Sequence, residues 1–221
     1  MALWGKDFHA AVKLEYNTLT GGNAGQFESP FYNVAPNLAS LYGNGLGGRL
    51  ELGYIYDVNY EVLLGGGYLV FKGASERIVT TNGDFFTFEV GDYEGVPLYV
   101  GGRFLFSEDP SEGFFPYVRV DAGVILIKKV NARLTYIPSD TALAAATINT
   151  EWWEDAAVLM WDLGGGFEYR FGNFGLFGEL LYQNLGKPES AIKTNLYTTV
   201  ISGNGTRWQP FTARVGLSCY F

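Results

Sequence analysis

The sequence predicts an all-β protein: one eight-stranded, antiparallel, up-and-down β-barrel. Three observations predict it. Apolar and polar side chains alternate along eight segments, short and long connections alternate between those segments, and no segment shows a helical repeat. Because successive side chains of a strand point to opposite faces of a sheet, such alternation is typical of strands with one apolar and one polar face. We expect a single domain over residues 1–221.

The hairpin Trp161–Gln183 shows the pattern most clearly. Its first half places rings and aliphatic side chains on one face, and Asp162, Glu168, Arg170 and glycines on the other. The pattern resumes after Gly172 and Asn173, a pair typical of a short hairpin turn. The same alternation predicts six more strands, at Phe8–Asn17, Leu46–Tyr56, Tyr60–Val70, Leu98–Phe106, Pro116–Leu126 and Phe211–Phe221.

The lengths of the connections predict that the barrel crosses a membrane. Short links fall at residues 57–59, 107–115 and 172–173, and long ones at 18–45, 72–95, 128–157 and 185–209. Short turns at one rim and long loops at the other are typical of a transmembrane β-barrel. The sequence has no run of 18 apolar residues, so we expect strands and not a helix to cross the membrane.

The volume of the side chains indicates which face points outward. An eight-stranded barrel has room for ordinary side chains only, and the many rings of the apolar face do not fit inside it. These rings also fall near the strand ends, as the two aromatic girdles of a membrane barrel do. A soluble, lipocalin-like ligand carrier is the alternative fold, and it would need the apolar face inside.

The final strand, "FTARVGLSCYF", supports the membrane reading. It ends in Phe221, with Cys219, Leu217 and Val215 at every second position before it. In these features the chain resembles the small outer-membrane barrels of the OmpA/OmpX type and, more loosely, OmpW. The resemblance implies that this strand is an assembly signal read by the barrel assembly machinery. It also implies the outer membrane of a Gram-negative-type bacterium, with short turns in the periplasm and long loops outside, in contact with lipid and lipopolysaccharide. We expect a monomer.

The polar face should form a network of charges inside the barrel. Its basic and acidic side chains nearly balance, and buried charges must pair to be tolerated. The predicted network comprises Lys13, Glu15, Arg49, Glu51, Glu61, Arg103, Arg119, Asp121, Asp162, Glu168, Arg170, Glu179 and Arg214. The network either plugs the lumen or rearranges to open a narrow path for ions or small solutes; we favour the plug.

Several kinds of function are disfavoured. The net charge of −8 argues against a nucleic-acid partner, which needs a basic surface. The chain has one histidine, His9, and one cysteine, Cys219; these supply neither a histidine-based catalytic pair nor a zinc site. We therefore predict no enzymatic activity, no cofactor and no metal, and we interpret the acidic residues of the long connections as solvated.

A specific function would then lie in the long loops, since loops carry most binding sites. "RLTYI" at Arg133–Ile137 and "TINTEWW" at Thr147–Trp153 alternate well, and we expect them to extend the barrel as an exposed hairpin. Trp152 and Trp153 are then candidates for contact with an extracellular partner, since exposed aromatic residues often mark interaction sites. The predicted function is structural or surface-interactive: membrane integrity, adhesion or loop-mediated binding.

Overall fold

The computed structural model describes residues 7–29, 32–57, 59–79, 83–106, 113–140, 142, 144–191, 193–196, 199–203 and 205–221. Within these residues the chain forms strands and one five-residue helix. In chain order the elements are β1 (Phe8–Leu19), β2 (Gln26–Ser29), β3 (Tyr32–Val34), α1 (Leu38–Tyr42), β4 (Asn44–Asp57), β5 (Tyr60–Phe71), β6 (Ser75–Val79), β7 (Phe85–Val90), β8 (Tyr93–Leu105), β9 (Gly113–Ile127), β10 (Val130–Ile137), β11 (Ala146–Trp153), β12 (Ala156–Phe171), β13 (Phe174–Asn184), β14 (Lys193–Leu196), β15 (Thr199–Ser202) and β16 (Pro210–Tyr220). No helix of this part of the chain is long and apolar enough to cross a membrane.

Eight strands close into a barrel, as predicted. Their order around the wall is β1-β16-β13-β12-β9-β8-β5-β4, every neighbouring pair is antiparallel, and β4 returns to β1. The predicted hairpin forms between β12 and β13, with Leu163 opposite Tyr182 and Glu168 opposite Phe177. Gly172 turns the chain there with φ of 59°, a left-handed conformation that glycine adopts at little cost.

The alternation of the sequence decides which side chains face outward. Apolar side chains at every second position are exposed on the outer wall, for example Leu14 at 67% and Leu180 at 73%, whereas the positions between them are buried. The rings meet at the strand ends. Near the long connections, the ring centres of Trp161 and Tyr182 lie 5.7 Å apart. At the opposite rim, the ring centres of Phe8 and Tyr54 lie 5.1 Å apart. The outer wall is therefore an apolar band between aromatic residues, which is the surface of a membrane barrel.

Several barrel strands are longer than the sequence predicts, and β8 is extended through a proline. We expected a strand from Leu98, but β8 begins at Tyr93 and includes Pro97. The pairing of β5 with β8 passes from Gly66 opposite Leu98 to Leu69 opposite Gly95, without pairs at the two positions between. On its other side β8 keeps Pro97 opposite Ile125. Proline has no backbone N–H to donate, so the strand continues through Pro97 with a local gap in one ladder.

The long connections are folded. The second and third together form a four-stranded sheet of order β11-β10-β7-β6, and the first and fourth form another of order β14-β15-β2-β3. The predicted hairpin of the third connection is present as β10 and β11. We call these two sheets together the platform. It stands on the long-connection end of the barrel and covers its mouth.

Candidate functional site

The lumen contains all thirteen charged residues that the sequence placed there. Each is at most 5% exposed. They divide into two groups by height in the barrel. The short-turn group lies at the short-turn rim and comprises Glu61, Arg103, Glu168 and Arg170, with His9 beside them. The middle group lies above it and comprises Lys13, Glu15, Arg49, Glu51, Arg119, Asp121, Asp162, Glu179 and Arg214.

Arg214 and Arg49 organise one side of the middle group around Glu15. Arg49 Nε donates to Glu15 Oε2 at 2.7 Å, and Arg214 Nε donates to the same oxygen at 2.9 Å. Arg214 Nη2 also donates to Asp162 Oδ2 at 2.7 Å. Four different strands carry these four residues, so the contacts join opposite parts of the barrel wall across the lumen.

Arg119 organises the other side of the middle group. Its Nε lies 2.8 Å from Asp121 Oδ2 and its Nη1 lies 3.1 Å from Glu179 Oε1, while Nη2 pairs with Glu51. Lys13 Nζ lies 3.0 Å from Glu51 Oε1 and 3.1 Å from Glu179 Oε1. A single guanidinium thus contacts three carboxylates, and two of these also contact Lys13. Such pairing is what makes buried charge tolerable.

The short-turn group closes the lower part of the lumen. Arg103 Nη2 lies 2.5 Å from Glu61 Oε2, and Arg170 Nη2 lies 2.6 Å from Glu61 Oε1. Both guanidinium groups also contact Glu168 Oε2, at 3.4 Å and 3.1 Å. His9 Nε2 lies 3.0 Å from Arg103 Nη2. These side chains form a second cross-linked layer below the first.

Rings fill the space between the charges. Tyr99 OH donates to Glu51 at 3.1 Å and Tyr117 OH donates to Glu179 at 2.8 Å. The guanidinium of Arg49 lies 5.1 Å from the centre of the Tyr99 ring, within reach of a cation–π contact. The interior is thus a packed mixture of charges and rings.

The glycines of the inner face make room for this network. A Cβ atom on Gly101 would lie 2.0 Å from Asp121 Oδ1, and one on Gly53 would lie 2.0 Å from the His9 ring. Those distances are far shorter than van der Waals contact. Glycine is required at these positions because long side chains from neighbouring strands lie directly over the backbone.

An apolar lid lies above the charges, and the sequence did not reveal it. Trp208, on the fourth connection, stacks on Tyr93 with ring centres 3.9 Å apart, and it also contacts Phe71 at 5.2 Å and Tyr42 at 4.8 Å. Tyr42 is carried by α1, whose first turn is capped by the Asn37 side chain accepting from Ala39 N at 2.8 Å. We call these buried rings, with Trp153, the aromatic lid. Its members come from distant parts of the chain and share no local pattern.

The prediction that Trp152 and Trp153 are exposed for partner contact is wrong. Both are completely buried. Trp152 Nε1 donates to Ala24 O and Trp153 Nε1 donates to Gly203 O, each at 2.9 Å. The hairpin of β10 and β11 packs one face against the first and fourth connections, so these rings hold the platform together. Alternation correctly predicted the strands, but it could not show what covers them.

Comparisons with known proteins address the fold. No protein-family model and no curated protein matches the sequence. Among solved structures, the outer membrane protein OprG from Pseudomonas aeruginosa matches with a TM-score of 0.53 at 11% identity, over 98% of this chain and 96% of that one. This chain has the fold of the small eight-stranded outer-membrane barrels.

Two further solved structures belong to the same class. Neisserial surface protein A matches at 12% identity with a TM-score of 0.44, over 97% of each chain. Ail, the attachment invasion locus protein of Yersinia pestis, matches at 12% identity with a TM-score of 0.39, over 97% of this chain and 99% of that one. The closed eight-stranded barrel and the match to OprG confirm, at the level of the fold, the sequence-based resemblance to small outer-membrane barrels.

In this outer-membrane barrel fold, the residues of the predicted assembly signal lie on the last strand, except Phe221, which follows it directly. Phe221, Leu217, Val215 and Cys219 are all exposed on the outer wall. β16 pairs with β1 over its whole length and so closes the barrel. Recognition of these residues by an assembly machinery remains a prediction.

Asp84 is an acidic residue of the platform that is held by several hydrogen bonds. Among the described residues, no three His, Cys, Asp or Glu side chains are grouped to hold a metal ion. Asp84 accepts from Ser139 N at 2.8 Å, from Ser139 OH at 2.8 Å and from Tyr136 OH at 2.9 Å. The Ser139 backbone N–H bond is the largest of the effects that lower the pKa of Asp84 below its ordinary value.

Proposed function

We propose that this chain is an outer-membrane protein whose barrel anchors the platform and passes no solute. The observation that carries the proposal is the double closure of the lumen. Two layers of ion pairs cross it, and the aromatic lid covers them on the long-connection side. A packed lumen gives no path for water, so the exposed face of the platform is the part that can interact with other molecules.

The proposed role is structural or surface-interactive: membrane integrity, adhesion or binding through the platform. The apolar outer wall would be surrounded by outer-membrane lipid and lipopolysaccharide, with the platform outside the cell and the short turns in the periplasm. The last strand would be recognised by the barrel assembly machinery, and the protein would act as a monomer. We propose no catalytic role, because the single histidine is buried against Arg103 in the lumen.

Single-channel recording tests the closed lumen. Refolded protein would be introduced into planar bilayers from proteoliposomes, and insertion would be verified by protection of the barrel from protease. We expect no discrete current steps. Steps that scale with salt concentration would overturn the closed-lumen proposal and favour a narrow channel for ions or small solutes, in which case Arg103→Gln and Glu168→Gln should change ion selectivity in opposite directions.

A further inference from the structure

The buried charges of the lumen do not balance. Among the described residues, six basic side chains face seven carboxylates there, and none is more than 5% exposed. An excess charge in such a place has no solvent to stabilise it, and the cost of burying it is large unless the group becomes neutral. One further positive charge is therefore needed inside the barrel.

His9 does not supply that charge. Its Nε2 lies 3.0 Å from Arg103 Nη2. A guanidinium group can only donate hydrogen bonds, so the imidazole nitrogen that faces it must accept. An accepting Nε2 carries no proton, and the ring is neutral in this arrangement.

The excess lies in the middle group. In the short-turn group, Arg103 and Arg170 balance Glu61 and Glu168, and all four are in mutual contact. The middle group contains four basic side chains and five carboxylates. The missing positive charge must therefore be held among the middle-group carboxylates.

Two of these carboxylates face each other directly. Asp121 on β9 and Asp162 on β12 are register partners in the barrel wall, and both side chains point inward. Partner residues of antiparallel strands have Cα atoms about 4.5–5.5 Å apart. Two carboxylates brought this close share a site in which only one ionises readily.

Within this pair, the hydrogen bonds leave one oxygen without a partner. Asp162 Oδ2 accepts from Arg214 at 2.7 Å and from Gln183 Nε2 at 3.1 Å, whereas the buried Asp162 Oδ1 has no hydrogen-bond partner. Asp121 accepts from Arg119 Nε with both oxygens, at 2.8 Å and 3.0 Å. The free oxygen of Asp162 is therefore available to carry a hydrogen.

We propose that Asp121 and Asp162 hold one proton between them, which makes the middle group neutral. The pair is a proton-binding site inside the plug. The groups that contact the pair from the surrounding strands are Arg49 on β4, Arg119 on β9, Gln183 on β13 and Arg214 on β16, and Gly101 on β8 lies directly beside Asp121. Glu179 on β13 is joined to the pair through Arg119 and Arg214. The arginines stabilise the remaining negative charge, and the proton removes the repulsion between the two aspartates.

Infrared spectroscopy detects the proton directly. The carbonyl stretch of a protonated carboxyl group absorbs above the backbone amide band. We expect one such band in the wild-type barrel at neutral pH, and labelling the aspartate carboxyl carbons with ¹³C should shift it. Asp162→Asn and Asp121→Asn should each abolish the band, because either change leaves the middle group balanced. Glu154→Gln is the control: it removes an exposed carboxylate outside the lumen, and the band should persist.

The shared proton also determines how the stability of the folded protein changes with pH. The folded protein keeps a proton that an unfolded aspartate releases above about pH 4, so folding loses stability as pH rises. Relative to Asp162→Asn, the unfolding equilibrium constant of the wild type should therefore rise by about tenfold per pH unit until the shared proton leaves. Unfolding by urea in detergent micelles measures this ratio.

Three results of the infrared and unfolding experiments would overturn the proposal. They are the absence of the band from the labelled wild type, a band that survives both aspartate substitutions, and a stability ratio that does not change with pH. A further experiment tests whether a bound sodium ion supplies the positive charge instead. If replacing sodium by a bulky organic cation lowers wild-type stability tenfold, a metal ion and not a proton balances the charge, and the proposal is overturned. The wild-type spectrum decides the question even if neither variant folds.

Discussion

Trp208 lies flat on Tyr93, with ring centres 3.9 Å apart and planes inclined by 22°. One ring comes from the fourth connection and the other from the first residue of β8. The stack therefore fixes the end of the platform to the barrel wall. It makes the lid a part of the folded core, and the lid should contribute to stability as other buried rings do.

Replacement of Trp208 by alanine should destabilise the protein. The ring is completely buried among other rings, and loss of such a side chain costs about 3–5 kcal/mol. Urea unfolding in detergent micelles measures the change. Trp161→Ala, on the exposed outer wall, is the matched control and should cost much less in micelles. Equal effects of the two substitutions would show that the lid is not packed as described.

Replacement of Arg119 by methionine should be more harmful than the loss of any surface pair. It leaves Glu51, Asp121 and Glu179 each without one buried partner, and breaking a buried ion pair in this way costs about 3–5 kcal/mol. Lys128→Met is the control, because Lys128 pairs with Glu94 at an exposed site. An unchanged unfolding midpoint in Arg119→Met would contradict the tight network.

Two adjacent glycines offer a test of lumen packing. In Gly101→Ala the new methyl group meets Asp121 Oδ1 and the Val120 carbonyl, whereas in Gly102→Ala its nearest contact is a backbone oxygen at 3.6 Å. We expect a loss of about 1–3 kcal/mol, typical of overpacking, for Gly101→Ala and little change for Gly102→Ala. The opposite order would mean that the faces of β8 are reversed.

The lowered pKa of Asp84 predicts that the stability of the platform depends on pH. Because the pKa of Asp84 is lowered in the folded protein, the carboxylate adds stability above its unfolded pKa of about 4. That contribution disappears as pH falls through the lower, folded pKa. Asp84→Asn should remove this acid-sensitive part, so the difference in stability between wild type and variant should shrink in acid.

Amide hydrogen exchange in β7 and β10, which flank the Asp84 site, measures that difference. Glu154→Gln, at an exposed position of the β11–β12 connection, is the control. If the difference in hydrogen exchange between wild type and Asp84→Asn grows in acid, the prediction is wrong.

Neighbouring positions of the last strand should differ in accessibility. Cys219 is exposed on the outer wall, whereas Ser218 is buried and donates to Glu168 at 2.6 Å. In lipid vesicles, a thiol reagent dissolved in the membrane should label Cys219. The combined change Cys219→Ser and Ser218→Cys moves the thiol inward and should abolish labelling. Labelling by a membrane-impermeant, water-soluble reagent alone would argue against a lipid-facing position.

Local patterns predicted the barrel well because each side chain of a membrane strand faces either lipid or lumen. Leu163 faces outward and Glu168 faces inward, and both orientations follow from the alternation of side chains along the strand. The sequence does not indicate the start of β8, because proline is uncommon inside a strand, and only the pairing with β9 shows that Pro97 is accommodated. The burial of Trp152 depends on Ala24, far away in the sequence, and no local pattern contains that contact.

The platform sheet that joins β2 to β15 places Glu28 opposite Val200. Almost the whole chain lies between these residues, so this sheet has the highest sequence separation of any part of the platform. Along the chain, β2 follows β1 and β15 precedes β16, and β1 and β16 are the first and last strands of the barrel. The ladder can form only after both ends of the chain have arrived, and pairings of such long range are slow to form. The β2–β15 ladder and the β1–β16 seam of the barrel both join the two ends of the chain, so we expect both to be among the last pairings to form.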